Sequence, residues 1–441
     1  MLRWAAMWWL NSNVIIMQQV KSWLVSLKST WYYRGVLNAS YLAVGNFISR
    51  IISFVGFIYI ARYLGPHDYG IYVTVGAFVG MFEIFMLQGL SKALIREGSK
   101  DLESMRTYLE SAIGIRNILI LLAIVLCIIS TFFTTYEVQT KLFILLFSSE
   151  LAYKGLRGFL GTIYQASEQM HYLSFFGIMS TSLFVLLAIL FLKLGYGLLS
   201  LFLVALFAHF ATLTADFVVA RKIVSFKFFS KIQFDKNLLK PAIIFSFLGF
   251  IGFFVSRIDL VMISWLGTAS DVGVYGVAYK IVQQGEMLRN VNAMAFFPIF
   301  VKLFHQQKIA SVKLLKYSGL LMVGVFLITV IASIFIENLI LLLFGADYQK
   351  SGEILRVLMF CLAFSWASLP FTTAAQATHN EKYLIIPIAF MGLVNVPLNY
   401  FLFKQIGVIG IAYSTLVVYF TGSILYALVT LKVMKKWGYL I

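Results

Sequence analysis

Charge is scarce in this 441-residue chain. Asp, Glu, Lys and Arg make up 12% of it, about half of the ~25% usual in soluble domains, which excludes a water-soluble globular enzyme. The 61% share of hydrophobic residues likewise excludes a disordered chain. Cysteine is nearly absent. Cys127 and Cys361 both lie in apolar runs, so disulfide and zinc frameworks have no support and two buried small hydrophobes fit better. The five histidines (His67, His171, His209, His305 and His379) show no metal-ligand spacing. No glycine-rich phosphate loop appears either, so neither a metal or other cofactor nor direct use of ATP is expected. Acidic residues are the rarer charge, 18 against 35 basic, for a net +17. In a soluble protein that excess would suggest nucleic acid; here its placement decides.

What the chain has in abundance is apolar length. Twelve segments are continuously apolar, near residues 38–62, 70–90, 112–134, 142–165, 173–194, 198–220, 241–266, 272–299, 317–337, 352–377, 383–403 and 408–431. Each is long and lacks alternation, which predicts membrane-spanning helices rather than barrel strands. The short apolar piece Leu339 to Phe344 reads as an interfacial turn. Lysine and arginine cluster in alternate joints: Lys92, Arg96, Lys100 and Arg106, then Arg221 to Lys240, then Lys302 to Lys316, and in both end segments. That bias predicts a multi-pass protein of the cell inner membrane with both termini cytoplasmic. The positive charge is then topological, and no nucleic-acid partner is expected. Residues 1–35, with Trp4, Trp8, Trp9 and Trp31, resemble an interfacial extension; a signal peptide fits poorly.

The chain also repeats itself. Leu64-Gly65-Pro66 through Tyr69-Gly70-Ile71-Tyr72 returns as Leu266-Gly267 through Val272-Gly273-Val274-Tyr275. Gln165-Ala166-Ser167 with Tyr172-Leu173 returns as Gln376-Ala377-Thr378 with Tyr383-Leu384, and Gly195-Tyr196-Gly197 has its counterpart at Gly407 to Gly410. Six spans per copy give both copies one orientation. The expected fold is therefore all-α: about 12 helices in two six-helix lobes related by a parallel repeat, V-shaped around a central cavity. The expected parts are an extension (1–35), an N-lobe (36–222), a basic linker (223–240), a C-lobe (241–431) and a tail (432–441).

These residues carry a family resemblance. Leu64-Gly65-Pro66 through Tyr72 resembles the R-x-L-G-x-x-x-Y-G-x-Y signature of Wzx-type O-antigen flippases in the multidrug/oligosaccharidyl-lipid/polysaccharide (MOP) exporter superfamily. Gly89-Leu90, Ala93 to Glu97, Ser256 to Asp259 and Phe297-Pro298 are similar to further stretches of that family, over about residues 36–436. The resemblance implies a flippase that moves an undecaprenyl-diphosphate-linked glycan between leaflets. It also implies contact with membrane lipids and association with a polysaccharide polymerase and chain-length regulator.

Charges deep within spans cost ~2.5–3.5 kcal/mol each on insertion scales, so they are expected to face a polar interior. The cations Arg50, Lys154, Arg157, Arg257, Lys280 and Arg289 form the candidate lining for an anionic headgroup, where guanidinium forks suit a diphosphate. Glu83, Glu150, Asp259 and Glu286 are candidates for charge pairing or for a coupling ion, H+ or Na+. Glu150, Lys154 and Arg157 share one helical face, and Glu150 with Lys154 also reads as a structural pair. Asp259 is expected to meet either a cation on another helix or a coupling ion. Gln283, Gln284, Asn290 and Asn292 on span 8 are candidates for sugar hydroxyls. Pro370, Pro387 and Pro397 interrupt spans 10 and 11, and Pro241 opens span 7, as hinges or as packing bends. Two other functions fit less well. A multidrug extruder calls for an acidic pocket, and a polymerase or glycosyltransferase for a large outward loop or an acidic cluster.

Overall fold

The computed structural model describes residues 31–86, 89–98, 102–228, 257–306 and 311–436. Most of the extension, residues 229–256 with most of the basic linker, Pro241, Ser256 and the greater part of span 7, and the end of the tail lie outside these. All the described elements are helical. They are α1 (Trp31–Met81), a 3-10 turn (Phe82–Met86), α2 (Gly89–Gly98), α3 (Leu102–Phe132), α4 (Val138–Phe147), α5 (Glu150–Ala166), α6 (Met170–Lys193) and α7 (Gly197–Ile223). There follow α8 (257–266), α9 (Ala269–Gln306), α10 (Ser311–Phe344), α11 (Gln349–Ala377), α12 (Ile385–Ile406) and α13 (Val408–Lys436).

Among the described residues, nine helices are long and apolar enough to cross a membrane. A helix satisfies its own backbone, which hydrocarbon requires, and large apolar side chains such as Leu320 and Leu393 point outward from the protein. The first of the nine is two arms. Gly65 takes φ 71, ψ 173 inside α1, a conformation open to glycine and strained for other residues, and Pro66 then starts the second arm. Phe57 and Tyr69 would lie ~18 Å apart along a straight helix, yet their ring centroids are 5.9 Å apart. The chain folds back at Gly65.

Span 4 is not continuous. Ser148 and Ser149 separate α4 from α5, and their hydroxyls donate to the carbonyls of Leu145 (2.7 Å) and Leu146 (3.0 Å). The break leaves Glu150 in the first turn of α5. Leu339 to Phe344, expected as an interfacial turn, instead continues α10, because nothing in Ser333 to Phe344 breaks a helix. Pro387 does not interrupt a span either; it occupies the first turn of α12, where its missing N–H has no intrahelical acceptor to lose. Pro370 and Pro397 do lie inside α11 and α12.

The matched sequence stretches also close their helices alike. After Gln165-Ala166-Ser167, Glu168 takes φ 57 and the N–H of Gln169 donates to the Tyr164 carbonyl (2.8 Å). After Gln376-Ala377-Thr378, His379 takes φ 55 and the N–H of Asn380 donates to the Ala375 carbonyl (2.8 Å). Each is a left-handed C-terminal cap with a six-to-one bond.

The glycine motifs meet each other. A Cβ added at Gly70 would run into the Ala269 carbonyl, and one at Gly273 into the Pro66 carbonyl, so each motif's glycine seats the backbone of the other. Around this reciprocal contact Tyr348 of the C-terminal half donates to the Ala61 carbonyl of the N-terminal half (2.8 Å), and Tyr136 shares a hydrogen bond with Ser264 (2.7 Å). One apolar core runs through this motif face, from Phe57 and Val75 across to Val274 and Ala412. Towards the opposite face the cores separate. One, around Leu94, Ile163 and Phe226, belongs to the N-terminal half; another, around Phe304, Phe371 and Met434, belongs to the C-terminal half. The halves are joined at the motif face and each packs on itself beyond it.

Replacing Gly70 by Leu is expected to force the motif face apart. A cysteine introduced at Ser270 should then react with a water-soluble maleimide several-fold faster, against the slow background of buried Cys127 and Cys361. Unchanged labelling would show that the glycine contact does not close this face.

Candidate functional site

Ten charges were expected at depth, and the structure sorts them into separate environments. In the N-terminal half the charges largely neutralise one another. Lys154 donates to Glu83 at 2.6 Å, so the local Glu150–Lys154 pair does not form. Arg157, expected in the headgroup lining, is held instead by Asp216 of α7 and by the Leu173 carbonyl (3.1 Å). Tyr164 donates to the other Asp216 oxygen, and Asp216 is 1% exposed. An unpaired guanidinium inside the lobe would be far costlier than this pair. Glu150 meets the Nδ1 of His209 at 2.8 Å.

In the C-terminal half, Asp259 meets no cation among the described residues. Its carboxylate accepts from Tyr275 (2.9 Å), Asn399 (2.8 Å) and Thr415 (2.8 Å), and Asn399 also donates to Asn395 (2.7 Å). The Oδ1 of Asn399 is buried without a hydrogen-bond donor. Arg289 donates to the Ser365 carbonyl (2.8 Å) and to Ser368 (3.1 Å). It stands near enough to Glu286 to act on its charge, and the two share a cavity of about 240 Å³ with Phe364, Tyr419 and Tyr426.

Arg50, Arg257 and Lys280 form the third environment. Lys280 of α9 feels the positive charge of both Arg257 and Arg50, so these residues from spans 1, 7 and 8 are brought together although 207 and 23 positions separate them from one to the next. Counting at 1.5 Å per residue from Gly65 and Gly267, each lies about 15–22 Å below the motif turns, near the middle of a ~30 Å hydrocarbon core. Arg50 and Lys280 have no acidic partner among the described residues. Like charges held together in a low dielectric repel, and an anion seated among them relieves that cost. A second cavity, about 600 Å³ at the motif face, is lined by His67, Thr74, Glu137, Ser264 and Thr268 and contains none of the ten.

Several polar residues escaped sequence reasoning. Asp216 lies near the end of a predicted span and resembles a boundary residue. Asn395 and Asn399 carry no charge, although their i, i+4 spacing on an apolar helix was a usable signal. Arg116 is buried and donates to Ser91 (2.9 Å).

All-helical halves joined at one face, with cations gathered at mid-depth, define a polytopic membrane protein of the MOP-transporter fold. Solved structures bear this out: the fold matches an inward-facing multidrug resistance MATE family transporter (TM-score 0.71, 13% identity, 90% of this chain and 98% of that one). It also matches the lipid II flippase MurJ in an inward closed conformation (TM-score 0.69, 18% identity, 89% and 87%). Within that fold, residues 36–304 match the model of the polysaccharide biosynthesis protein family, and the chain belongs to it. It is similar to the capsular polysaccharide biosynthesis protein CapF of Staphylococcus aureus (24% identity; 79% of this chain, 88% of CapF). Over a shorter stretch it is similar to the probable flippase AglR of Haloferax volcanii (27% identity; 38% and 37%).

Breaking the Arg157–Asp216 pair from one side strands a buried charge. Asp216→Ala should cost about 3–5 kcal/mol, whereas the double variant Arg157→Met, Asp216→Leu should recover most of that loss. Reversible unfolding in mixed micelles measures both. Equal losses would mean that the pair is not buried as described.

Proposed function

We propose that this protein is a flippase that carries an undecaprenyl-diphosphate-linked oligosaccharide repeat unit from the cytoplasmic to the periplasmic leaflet of the inner membrane by alternating access. The observation that carries the reading is the group Arg50, Arg257 and Lys280, in which the two guanidinium groups act on the lysine at mid-depth. A diphosphate diester brings two negative charges to such a site, and arginine offers it paired hydrogen bonds. The gathered charge is positive, so the observation favours an anionic cargo over the cationic drugs of a multidrug extruder. Names borne by relatives, CapF for capsular polysaccharide and AglR as a probable flippase, point the same way.

In this reading the motif face is the periplasmic gate and the space between the two separate cores is the entrance from the cytoplasm. That places both termini in the cytoplasm, in keeping with the lysine and arginine bias. Arg50, Arg257 and Lys280 receive the diphosphate, while Lys154 and Arg157 serve the N-lobe's architecture. Glu286 and Arg289, beside Tyr419 and Tyr426, are placed to meet sugar hydroxyls from the C-lobe. A coupling ion, H+ or Na+, suits Asp259, whose partners among the described residues, Tyr275, Asn399 and Thr415, carry no charge. The membrane lipids, a polymerase and a chain-length regulator are the partners this role requires.

A deletion strain is expected to accumulate lipid-linked repeat units on the cytoplasmic leaflet, with unchanged drug susceptibility. Arg257→Ala should express normally yet fail to restore surface polysaccharide, and Arg257→Lys should restore it partly, since a point charge lacks the fork. Normal polysaccharide from a strain carrying Arg50→Ala, Arg257→Ala and Lys280→Ala together would refute the assignment.

A further inference from the structure

The two copies of the glycine motif enclose the cavity at the motif face, apart from the mid-depth cations. Its volume of about 600 Å³ lies within the ~300–1,000 Å³ typical of small-molecule sites. His67 and Ile71 of the first motif line one side, and Thr268 and Ser270 of the second line the other. The turn between α3 and α4 supplies the remaining wall through Tyr136 and Glu137.

Hydrogen bonds fix part of this wall. Trp265 hydrogen-bonds the Tyr136 hydroxyl, and an indole can only donate. Tyr136 shares a hydrogen bond with Ser264 (2.7 Å), which donates to the Val261 carbonyl (2.7 Å). Tethered at its N–H, the Trp265 ring is held in place and still 51% exposed. Thr74 and Thr140 line the cavity at 5% and 6% exposure, and neither hydroxyl has a hydrogen-bond partner among the described residues. Hydroxyls buried in that way favour whatever polar group enters the cavity. Glu137 adds a carboxylate that forms no ion pair among the described residues. The neighbouring carboxylates are engaged, Asp68 with His67 (3.0 Å) and Asp271 with Thr268 (2.8 Å).

A held aromatic ring, uncommitted hydroxyls and one carboxylate suit a sugar. The C–H groups of a pyranose meet the negative face of an indole, and its hydroxyls both give and accept hydrogen bonds. No lysine or arginine lines the cavity, so a diphosphate has no counter-charge there. Among the described residues no group of three His, Cys, Asp or Glu could hold a metal ion. We propose that this cavity binds a neutral or amine-bearing saccharide and thereby holds the motif face shut. Its walls belong to both halves, so parting the halves divides the site, and only the closed arrangement binds well. A ligand with that preference shifts the population towards the state it prefers. Glycan gathering outside the motif face therefore slows the next opening. Only the source of the sugar, delivered cargo, rests on the transport reading.

The experiment uses the full chain in bilayer nanodiscs, with lactose, diacetylchitobiose and the diamine chitobiose as probes. Saturation-transfer NMR is expected to show binding of all three, several-fold stronger for the diamine, and Glu137→Gln should remove that difference. Trp265→Leu and Thr140→Val should each weaken the transfer several-fold, and Gly70→Leu should abolish it. Arg257→Ala should leave it unchanged. Spin labels on Y196C and L342C, outside the cavity lining, report the width of the motif face by double electron–electron resonance. Chitobiose should raise the closed population several-fold, and glycerol should not. Absence of transfer to every probe overturns the proposal, as does transfer that survives Thr140→Val or is lost with Arg257→Ala. An unmoved distance with chitobiose bound overturns it too, and that measurement needs no variant of the cavity. Translocation of a polyprenyl-diphosphate-linked disaccharide, assayed in vesicles, separates the two ideas: its absence beside intact sugar binding removes the flippase reading and keeps the site.

Discussion

The cost of an unneutralised charge in a low-dielectric interior organises this molecule. Each ionised group placed at depth has three ways to lower that cost: an opposite charge, a set of neutral donors, or an incoming ligand. The first two are seen directly. Lys154 and Arg157 take the first, in Glu83 and Asp216. Asp259 takes the second, among Tyr275, Asn399 and Thr415. Arg50 and Arg257 act on Lys280, and that group is where we propose the third.

The two halves divide this work unevenly. The N-terminal half is rich in internal ion pairs. The C-terminal half holds Asp259 with neutral partners and contributes two of the three central cations. The reciprocal glycine seats at the motif face join the halves through backbone, with no side chain between Gly70 and Ala269 or between Gly273 and Pro66. Such contacts are close and uncharged, and they separate without leaving an orphaned ion. Beyond them the cores part, so relative motion of the halves disturbs little packing away from this one face.

Much of the fold was legible in the sequence. Long apolar runs leave only helices in hydrocarbon, and the glycine motifs marked the turns that the structure bends at Gly65 and caps at Glu168 and His379. Span 4 was less legible. Its apolar run hides the Ser148-Ser149 break, because serines that bond their own backbone look no different in sequence from serines inside a continuous helix. The candidate charges were all real, but their sorting was hidden: Lys154 sits four residues from Glu150 and pairs with Glu83, 71 residues away.

Composition and periodicity alone determined that this chain lies in a membrane as a bundle of helices, because no other backbone arrangement satisfies itself there. They also determined which residues would be expensive at depth. Which of those expenses are settled internally, and which are left for a ligand, is decided by long-range neighbours. Asp216 reaches Arg157 across 59 residues and Asn399 reaches Asp259 across 140. Coulomb energy falls with distance in space, and distance in space is set only when the helices have packed.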